Sequence, residues 1–134
     1  MLSKKTQYAF KALMYLSQQK DNGPILIAEI SRKKKIPLKF LENILLEMKK
    51  EGILESKKGK GGGYFLAREA SDIVLADVMR LIEGPISLLP CVSLHFYKKC
   101  DNCNEKECGL RDTLIEVRDA NLAILEHKTV QDLT

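Results

Sequence analysis

The sequence predicts a mainly α-helical fold with one small β-hairpin, and three patterns lead to that prediction. Apolar residues recur at helical spacing in five segments, two short strand-like segments flank a glycine-rich tip, and a long apolar stripe lies near the end of the chain. The 134 residues, 45% of them apolar, can bury one sizeable core but not two large ones. We therefore expect one compact domain over residues 1–84 with an appendage.

Two amphipathic segments open the chain. The first predicted helix covers about residues 3–19, because small and apolar residues recur there at helical spacing before a polar stretch and a proline. These residues are Ala9, Ala12, Leu13 and Leu16. Ile27 and Ile30 mark the inner face of a short second helix, which ends in the basic run at residues 32–35.

The third predicted helix has an apolar face and a polar face. Pro37 suits its first turn, because the missing N–H would have no partner there, and Gly52 ends it after about Glu51. The inner face is formed by Leu38, Leu41, Leu45 and Met48, and the outer face by Lys39, Glu42, Asn43, Lys49 and Lys50. A short helix, a tight turn and a second helix with such an outer face are typical of a DNA-binding helix-turn-helix.

The predicted hairpin, with strands over residues 53–56 and 64–67, carries a basic tip. The tip consists of Lys57, Lys58, Gly59, Lys60, Gly61, Gly62 and Gly63. A nucleotide-binding P-loop would need a strand, the GxxxxGK[ST] pattern and a helix, and that pattern is absent. Because glycines allow close backbone approach and lysines supply charge, we interpret the tip as a DNA-touching wing, with a plain solvated hairpin as the alternative.

Charge is distributed unevenly along the chain. Residues 1–68 hold fifteen Lys and Arg against six Asp and Glu, whereas residues 69–134 hold seven against twelve. The basic half favours a polyanion-binding surface joined to a module with another task. Lysines placed only for solubility are the alternative.

The second half predicts one more short helix and one long one. Leu75, Val78, Met79 and Ile82 form the apolar face of a fourth helix, with Ser71 or Asp72 near its cap and Gly84 and Pro85 after it. An irregular loop follows over residues 85–108. The last helix, about residues 109–126, carries the apolar stripe Leu110, Leu114, Val117, Ile124 and Leu125. Such a stripe must be covered, either by a second copy in a homodimer or by the helix's own domain.

All four cysteines lie in the loop, as Cys91, Cys100, Cys103 and Cys108 in the spacing C-x8-C-x2-C-x4-C. This clustering favours a metal site or a redox device over scattered core thiols or a disulfide framework. Four thiolates satisfy tetrahedral zinc as well as an iron–sulfur cluster, so the residues alone leave both open. An oxidoreductase is disfavoured because the CxxC motif lacks a βαβ context.

Several other classes of protein are not indicated. No apolar run approaches the roughly twenty residues of a membrane span, and no signal peptide is recognisable, so we expect a cytoplasmic protein without membrane contact. His95 and His127 lie far apart in sequence with no evident nucleophile partner, so no enzymatic activity is predicted.

Four segments together resemble the Rrf2 family of winged-helix transcription regulators. They are the opening SKKTQYAFKALMYLS, the segment IAEISRKKKIPLKFLENILLEMKKEGIL, the wing SKKGKGGGYFLA and the cysteine-rich loop before the last helix. The resemblance covers essentially the whole chain. It implies a winged helix-turn-helix domain at 1–84, a sensor loop at 85–108, and a dimerisation helix and tail at 109–134, in a homodimer that binds a double-stranded DNA operator.

The resemblance also assigns DNA contacts. In this family the second helix of the motif enters the major groove and the wing tip touches the minor groove. Glu42 matches a base-reading glutamate, and a carboxylate there can accept from a cytosine amino group. Lys58 and Lys39 depart from residues frequent in relatives, so the operator sequence does not carry over. Besides the tip residues given above, the predicted contacts are Lys4, Lys5, Thr6, Tyr8, Pro37, Lys39, Phe40, Glu42 and Asn43.

Relatives that bind an iron–sulfur cluster supply three cysteines from this loop and a fourth ligand that varies. The histidine that serves in one subgroup is replaced here by Arg111, and the acidic ligand of another is replaced by Gln7. The resemblance therefore implies an all-thiolate site made by Cys91, Cys100, Cys103 and Cys108, with an iron–sulfur cluster favoured over zinc or metal-free thiols. Operator binding is expected to depend on it. The alternative is a metal-free regulator that receives its signal from a bound partner enzyme.

Overall fold

The computed structural model describes residues 2–100, 104 and 106–134, and every structural statement below refers to these residues. The helices are α1 (Lys4–Gln18), α2 (Ile27–Lys34), α3 (Leu38–Lys50), α4 (Leu75–Ile82) and α5 (Gly109–Leu125), and the strands are β1 (Leu54–Lys57) and β2 (Gly63–Leu66). The predicted fold class, mainly helical with one small antiparallel hairpin, is confirmed.

Helix α1 begins at a polar cap and packs against the next two helices and α4. The hydroxyl of Ser3 accepts a hydrogen bond from the backbone N–H of Thr6 at 3.3 Å, which satisfies one of the free donors at the helix start. The residues predicted for its inner face are all buried in the main core: Ala9, Ala12, Leu13 and Leu16. The observed bounds differ from the predicted ones by one residue at each end.

A tight turn joins α2 to α3. Lys35 takes the left-handed conformation with φ of 55°, and the next residue, Ile36, is buried and donates its backbone N–H to the carbonyl of Ser31. Pro37 has an extended backbone and precedes the helix, so its predicted place inside the first turn is wrong by one residue. The turn fixes the direction in which α3 leaves α2.

The inner face of α3 differs in two residues from the prediction. Its fully buried residues are Leu41, Ile44, Leu45 and Met48. Leu38, predicted to lie on this face, is 44% exposed, whereas Ile44, which was not predicted, is completely buried. The buried set follows three- and four-residue spacing, as one face of an α-helix requires.

The hairpin is attached to the helical core at its base. Leu54 pairs with Leu66 and Lys57 with Gly63, so the strands align antiparallel up to the tip. Ile25 extends the pairing on the other side, because its backbone exchanges hydrogen bonds of 2.8 and 2.7 Å with Tyr64. The turn before α2 therefore holds the hairpin in place.

The end of the chain returns to the main core after α5. Val130 is fully buried there, and its backbone N–H donates to the carbonyl of Ile73 at 2.9 Å. Leu75 donates in turn to the carbonyl of Lys128 at 3.0 Å. The tail therefore packs with residues of the compact domain, an arrangement that the sequence did not predict.

Helix α4 begins later than its predicted cap. Ser71 and Asp72 lie in a separate 3₁₀ turn at Ala70–Asp72, and α4 starts after Val74 without a side-chain cap. The prediction of a cap at Ser71 or Asp72 is wrong, because Ile73 is buried between the two elements and separates them. The apolar residues expected on α4 do face inward.

Helix α5 leaves much of its predicted stripe uncovered. Leu122 is buried against Ala76 and Ile86, whereas Leu110 and Ile124 are 60% and 59% exposed. The helix is joined to α4 by an ion pair of 2.7 Å between Arg80 and Glu126. The packing of α5 on its own domain thus accounts for only part of its apolar surface.

Within the described part of the chain, no helix has the length and apolar character needed to cross a membrane.

Candidate nucleic-acid interface and cysteine loop

One line of exposed side chains runs along the outer face of α3. Lys39, Asn43, Leu46 and Lys50 follow one another at spacings of four, three and four residues, which places them on one face of the helix. Glu42 lies beside this line and is half-buried. We call Lys39, Asn43, Leu46 and Lys50 the α3 stripe. It presents two cations, an amide and one apolar side chain to solvent.

Leu46 was not singled out from the sequence. It is 45% exposed although it is a large apolar residue. The spacing in the sequence could have indicated its position, because a residue seven positions after Lys39 and three after Asn43 lies on the same face of the helix.

The start of α1 contacts two residues of α3, Phe40 and Glu47, which lie next to the α3 stripe. The rings of Tyr8 and Phe40 pack edge-to-face, with centroids 5.6 Å apart, and Phe40 remains 40% exposed. The ammonium group of Lys5 forms an ion pair of 2.7 Å with Glu47. Three predicted contact residues are thus brought together here, and Lys5 already shares its charge with a carboxylate of the protein.

Thr6 is placed differently from its predicted role. Its side chain is fully buried, and its hydroxyl donates to a carboxylate oxygen of Glu83 at 2.5 Å. Ser3 donates to the same oxygen at 2.6 Å, and the hydrogen bonds from Ser3 and Thr6 hold the pKa of Glu83 below its usual value. The hydroxyl of Thr6 joins α1 to the end of α4. The DNA contact predicted for Thr6 stays a prediction.

The wing tip combines exposed charge with two kinds of glycine. Its lysines, Lys57, Lys58 and Lys60, are all exposed. Gly59 and Gly61 have positive φ values of 87° and 75°, and a Cβ atom at either would meet open space. Their conformation is left-handed and favours glycine, and their surroundings leave room for a ligand.

The other two tip glycines serve the fold. A Cβ atom on Gly63 would lie 2.3 Å from the carbonyl of Ile25, and one on Gly62 would lie 2.2 Å from the carbonyl oxygen of Lys57. The sequence interpretation, that the glycines allow close approach of DNA, therefore misses an internal reason for these two. They allow the hairpin to close and to pack against the segment before α2.

The polar flank of α3 is joined to the wing. The ammonium group of Lys49 donates to the hydroxyl of Ser56 in β1 at 2.7 Å. This bond links the outer face of α3 to β1 close to the wing tip. Of the remaining predicted contacts, Lys4 and Pro37 are exposed.

The cysteines of the loop lie in different environments. Cys91 is 3% exposed in the 3₁₀ turn Pro90–Val92, and Cys100 is partly buried. Cys108 caps α5, where its sulfur accepts from the backbone N–H of Arg111 at 3.4 Å. The predicted position of Cys108 at a helix N-terminus is confirmed. Cys103 lies outside the described residues.

The donor chemistry of the loop cysteines fits a metal group. Thiolate sulfur is accepted both by iron–sulfur clusters and by zinc. Among the described residues, no group of three or more His, Cys, Asp or Glu is close enough to hold a metal ion. The Nε of Arg111, three residues after Cys108, is buried and has no hydrogen-bond partner among the described residues.

Residues 2–134 match the Rrf2 family profile, which is described as Iron-dependent Transcriptional regulator. The chain belongs to the Rrf2 family. A relative from Rhodobacter capsulatus, described as an rrf2-like HTH-type transcriptional regulator, is 36% identical over 99% of this chain and 91% of its own length. The protein is therefore a transcriptional regulator of the Rrf2 family and not an enzyme.

Three further proteins resemble the chain in different respects. The transcriptional regulator IscR of Photorhabdus laumondii is 31% identical over 76% of this chain, which spans only 62% of the IscR length. The structure of CymR, the global cysteine regulator of B. subtilis, matches with a TM-score of 0.81 at 26% identity and covers 99% of this chain and 95% of CymR. IscR of T. potens matches with a TM-score of 0.76 at 25% identity, over 99% of this chain and 85% of that protein.

Proposed function

We propose that this Rrf2 regulator binds a double-stranded DNA operator as a homodimer and that the state of its cysteine loop controls the binding. The observation that carries the DNA contact is the α3 stripe, with the lysines of the wing tip joined to it through Lys49 and Ser56. Lysines donate to phosphates, while Glu42 and Asn43 have the acceptors and donors that read base edges. The same proposal places the protein with the chromosome, in the cytoplasm.

Selection from a pool of random duplexes tests the operator contact. We expect one preferred sequence, a change of preferred bases with Glu42→Ala, and weaker binding without a changed major-groove preference with Lys58→Ala. The difference arises because a carboxylate accepts from specific base edges, whereas an ammonium group mainly senses backbone charge. If no sequence is enriched over competitor polyanions, the proposed function is wrong.

The homodimer is proposed to cover the exposed apolar residues of α5 and the loop. Six large side chains with 46–60% exposure lie in the described residues of these segments: Leu88, Leu94, Phe96, Tyr97, Leu110 and Ile124. A second copy that covered them would also place two copies of α3 on symmetric half-sites about one DNA turn apart. Sedimentation should give a dimer, and Ile124→Asp with Leu110→Asp should give a monomer. A monomeric parent protein would contradict this part of the proposal.

The cysteine loop is proposed to hold its cofactor through Cys91, Cys100, Cys103 and Cys108, with an iron–sulfur cluster preferred over zinc. A bound cluster would supply chemistry that responds to oxidants and to iron supply. The protein's own contribution is a connection to α5: the guanidinium of Arg118 donates to the carbonyl of Val92, next to Cys91, at 2.9 Å. Movement of the Cys91 turn is thereby transmitted to the helix that carries the dimer contacts.

A second candidate is a metal-free regulator that takes its signal from a bound partner enzyme. The exposed apolar side chains Leu88, Leu94 and Phe96 of the loop favour it. In this case the exposed apolar residues of the loop would contact the partner. Anaerobic purification separates the candidates, because a coloured protein with bound iron supports the cluster, whereas a colourless, metal-free protein that still binds its operator supports the partner.

A further inference from the structure

Leu46 is an apolar side chain in the middle of a charged and polar line. It is 45% exposed, between Asn43 and Lys50 on the α3 stripe. A single exposed leucine is ordinary on a protein surface. This one is accompanied by Phe40, which is 40% exposed and lines the same depression. Two large apolar side chains lie exposed at the centre of a proposed DNA-reading surface. We therefore expect an apolar group of the DNA to contact them.

The depression is an open groove of about 430 Å³ between the start of α1 and the outer face of α3. Leu46 and Phe40 supply apolar side chains to its lining, and Lys5 and Lys50 also line it. Glu47 holds Lys5 in place through their 2.7 Å ion pair. An apolar surface flanked by cations complements a polyanion that carries an apolar group.

The major groove of DNA presents one apolar group on its base edges, the C5-methyl group of thymine. We propose that Leu46, supported by Phe40, contacts this methyl group and so makes the protein prefer thymine at one operator position. The inference rests on the proposed operator binding and adds a residue that selects a base. Neither Lys50 nor Asn43 can supply the same discrimination, because neither presents an apolar group of comparable size at this point.

The spacing of Asn43 and Leu46 along α3 predicts how far apart the bases that they contact lie. Three residues separate Leu46 from Asn43, which corresponds to about 4.5 Å along an α-helix. Successive base pairs are about 3.4 Å apart along the duplex. The thymine contacted by Leu46 should therefore lie one or two base pairs from the base that Asn43 contacts.

Replacement of thymine by deoxyuridine tests the contact, because it removes only the methyl group. In the selected operator, each thymine is replaced in turn and the affinity of the full-length protein is measured. We expect about a fourfold loss at one position per half-site, the effect of one buried methyl-sized group. With Leu46→Ala, deoxyuridine and thymine should bind equally at that position, while the effects of other substitutions persist.

A matched control is Leu133→Ala, since Leu133 is 39% exposed but lies in the tail, away from α3. This variant should keep the full deoxyuridine penalty. A second arm places cytosine and then 5-methylcytosine at the sensitive position, because 5-methylcytosine carries the same methyl group on a different base pair. Partial recovery of affinity with 5-methylcytosine, only when Leu46 is present, supports a contact to the methyl group itself.

Three results would overturn the inference. Intact operator binding with no loss for deoxyuridine at any position removes the methyl contact but leaves the proposed function standing. A deoxyuridine penalty that survives unchanged in Leu46→Ala assigns the contact to another residue. A change of solution mass in Leu46→Ala would show that the groove binds a protein chain. Failure to select any operator, by contrast, would count against the proposed function itself.

Discussion

Residues 2–84 and the described part of the loop at residues 85–108 use their side chains in opposite ways. In the first region, the apolar residues of four helices and the hairpin close one core, and the polar groups of Ser3 and Thr6 bond to Glu83. In the loop, the turn around Cys91 is buried while Leu88, Leu94 and Phe96 are exposed. The first region closes its core together with Val130 of the tail, whereas the loop leaves these three large apolar side chains exposed.

This difference indicates that the first region recognises DNA and that the loop responds to a signal. A surface that recognises DNA gains from rigid placement, because the side chains that read bases must be held in position before binding. A segment that responds to a signal must instead have two arrangements of similar free energy. Four predictions test whether the molecule is divided in this way, and they run from the largest expected effect to the smallest.

The largest expected effect is that of salt on operator affinity. If the dimer neutralises about six phosphates, affinity should fall about 10³-fold as salt rises from roughly 50 to 200 mM, because bound counterions are released from DNA. Titration at several salt concentrations gives the slope. Lys58→Ala should reduce the slope, whereas Lys128→Ala, which changes an exposed lysine near the tail, should not. If affinity does not change with salt concentration, the first region does not bind DNA through its phosphates.

The second prediction concerns the glycines of the wing. Gly63→Ala should destabilise the protein by about 3 kcal/mol, because the new Cβ would overlap the backbone of Ile25 and the hairpin would have to move. Gly61→Ala is the matched control and should cost only about 1 kcal/mol, since its left-handed backbone is strained but its surroundings are open. Urea denaturation measures both. Equal losses would mean that the packing of Gly63 against Ile25 contributes little to stability.

The two glycines also show where sequence patterns stop being informative. The helices follow from apolar periodicity, and the run of glycines and lysines correctly predicted a hairpin with a basic tip. Which glycine meets solvent and which meets Ile25 depends on a contact with a segment about forty residues earlier, which no local pattern encodes. The same holds for Thr6, whose burial depends on Glu83 at the far end of α4.

The third prediction addresses the loop. After anaerobic reconstitution with iron and sulfide, replacing Cys91, Cys100, Cys103 or Cys108 singly by serine should lower the iron content. Operator affinity should change by about 5- to 150-fold, the usual range for coupling between two sites. Iron analysis and DNA titration on the same samples measure both quantities. The parent protein without iron, kept anaerobic, is the control for DNA binding.

Comparison of the iron content of the four serine variants identifies which cysteines are ligands. A requirement for all four cysteines supports the all-thiolate site. A requirement for only three means that another group completes the site, and His95→Ala then tests the exposed histidine of the same loop. If all four variants bind iron and DNA as the parent does, the cysteines do not carry the signal.

The smallest expected effect concerns Glu83, through which the compact region joins α1 to the end of α4. Hydrogen bonds from Ser3 and Thr6 favour its ionised form, so its pKa in the folded protein lies below the ordinary value of 4.5. The unfolded chain therefore takes up the proton first as the pH falls. The stabilisation of the folded protein by ionised Glu83 is complete above about pH 4.5. It is lost as the pH falls through the lowered pKa of Glu83.

Glu83→Gln removes this charge while keeping an acceptor of similar shape. We expect it to lower the free energy of unfolding by about 1 kcal/mol at neutral pH, and the difference from the parent should shrink as the pH falls below 4.5. Thermal or urea denaturation from pH 7 to pH 3 measures this. Glu69→Gln is the control for the loss of an exposed carboxylate. A constant difference between Glu83→Gln and the parent at every pH would mean that the charge of Glu83 does not stabilise the junction between α1 and α4. The rigid placement of α1 beside α3 would then have to come from apolar packing alone.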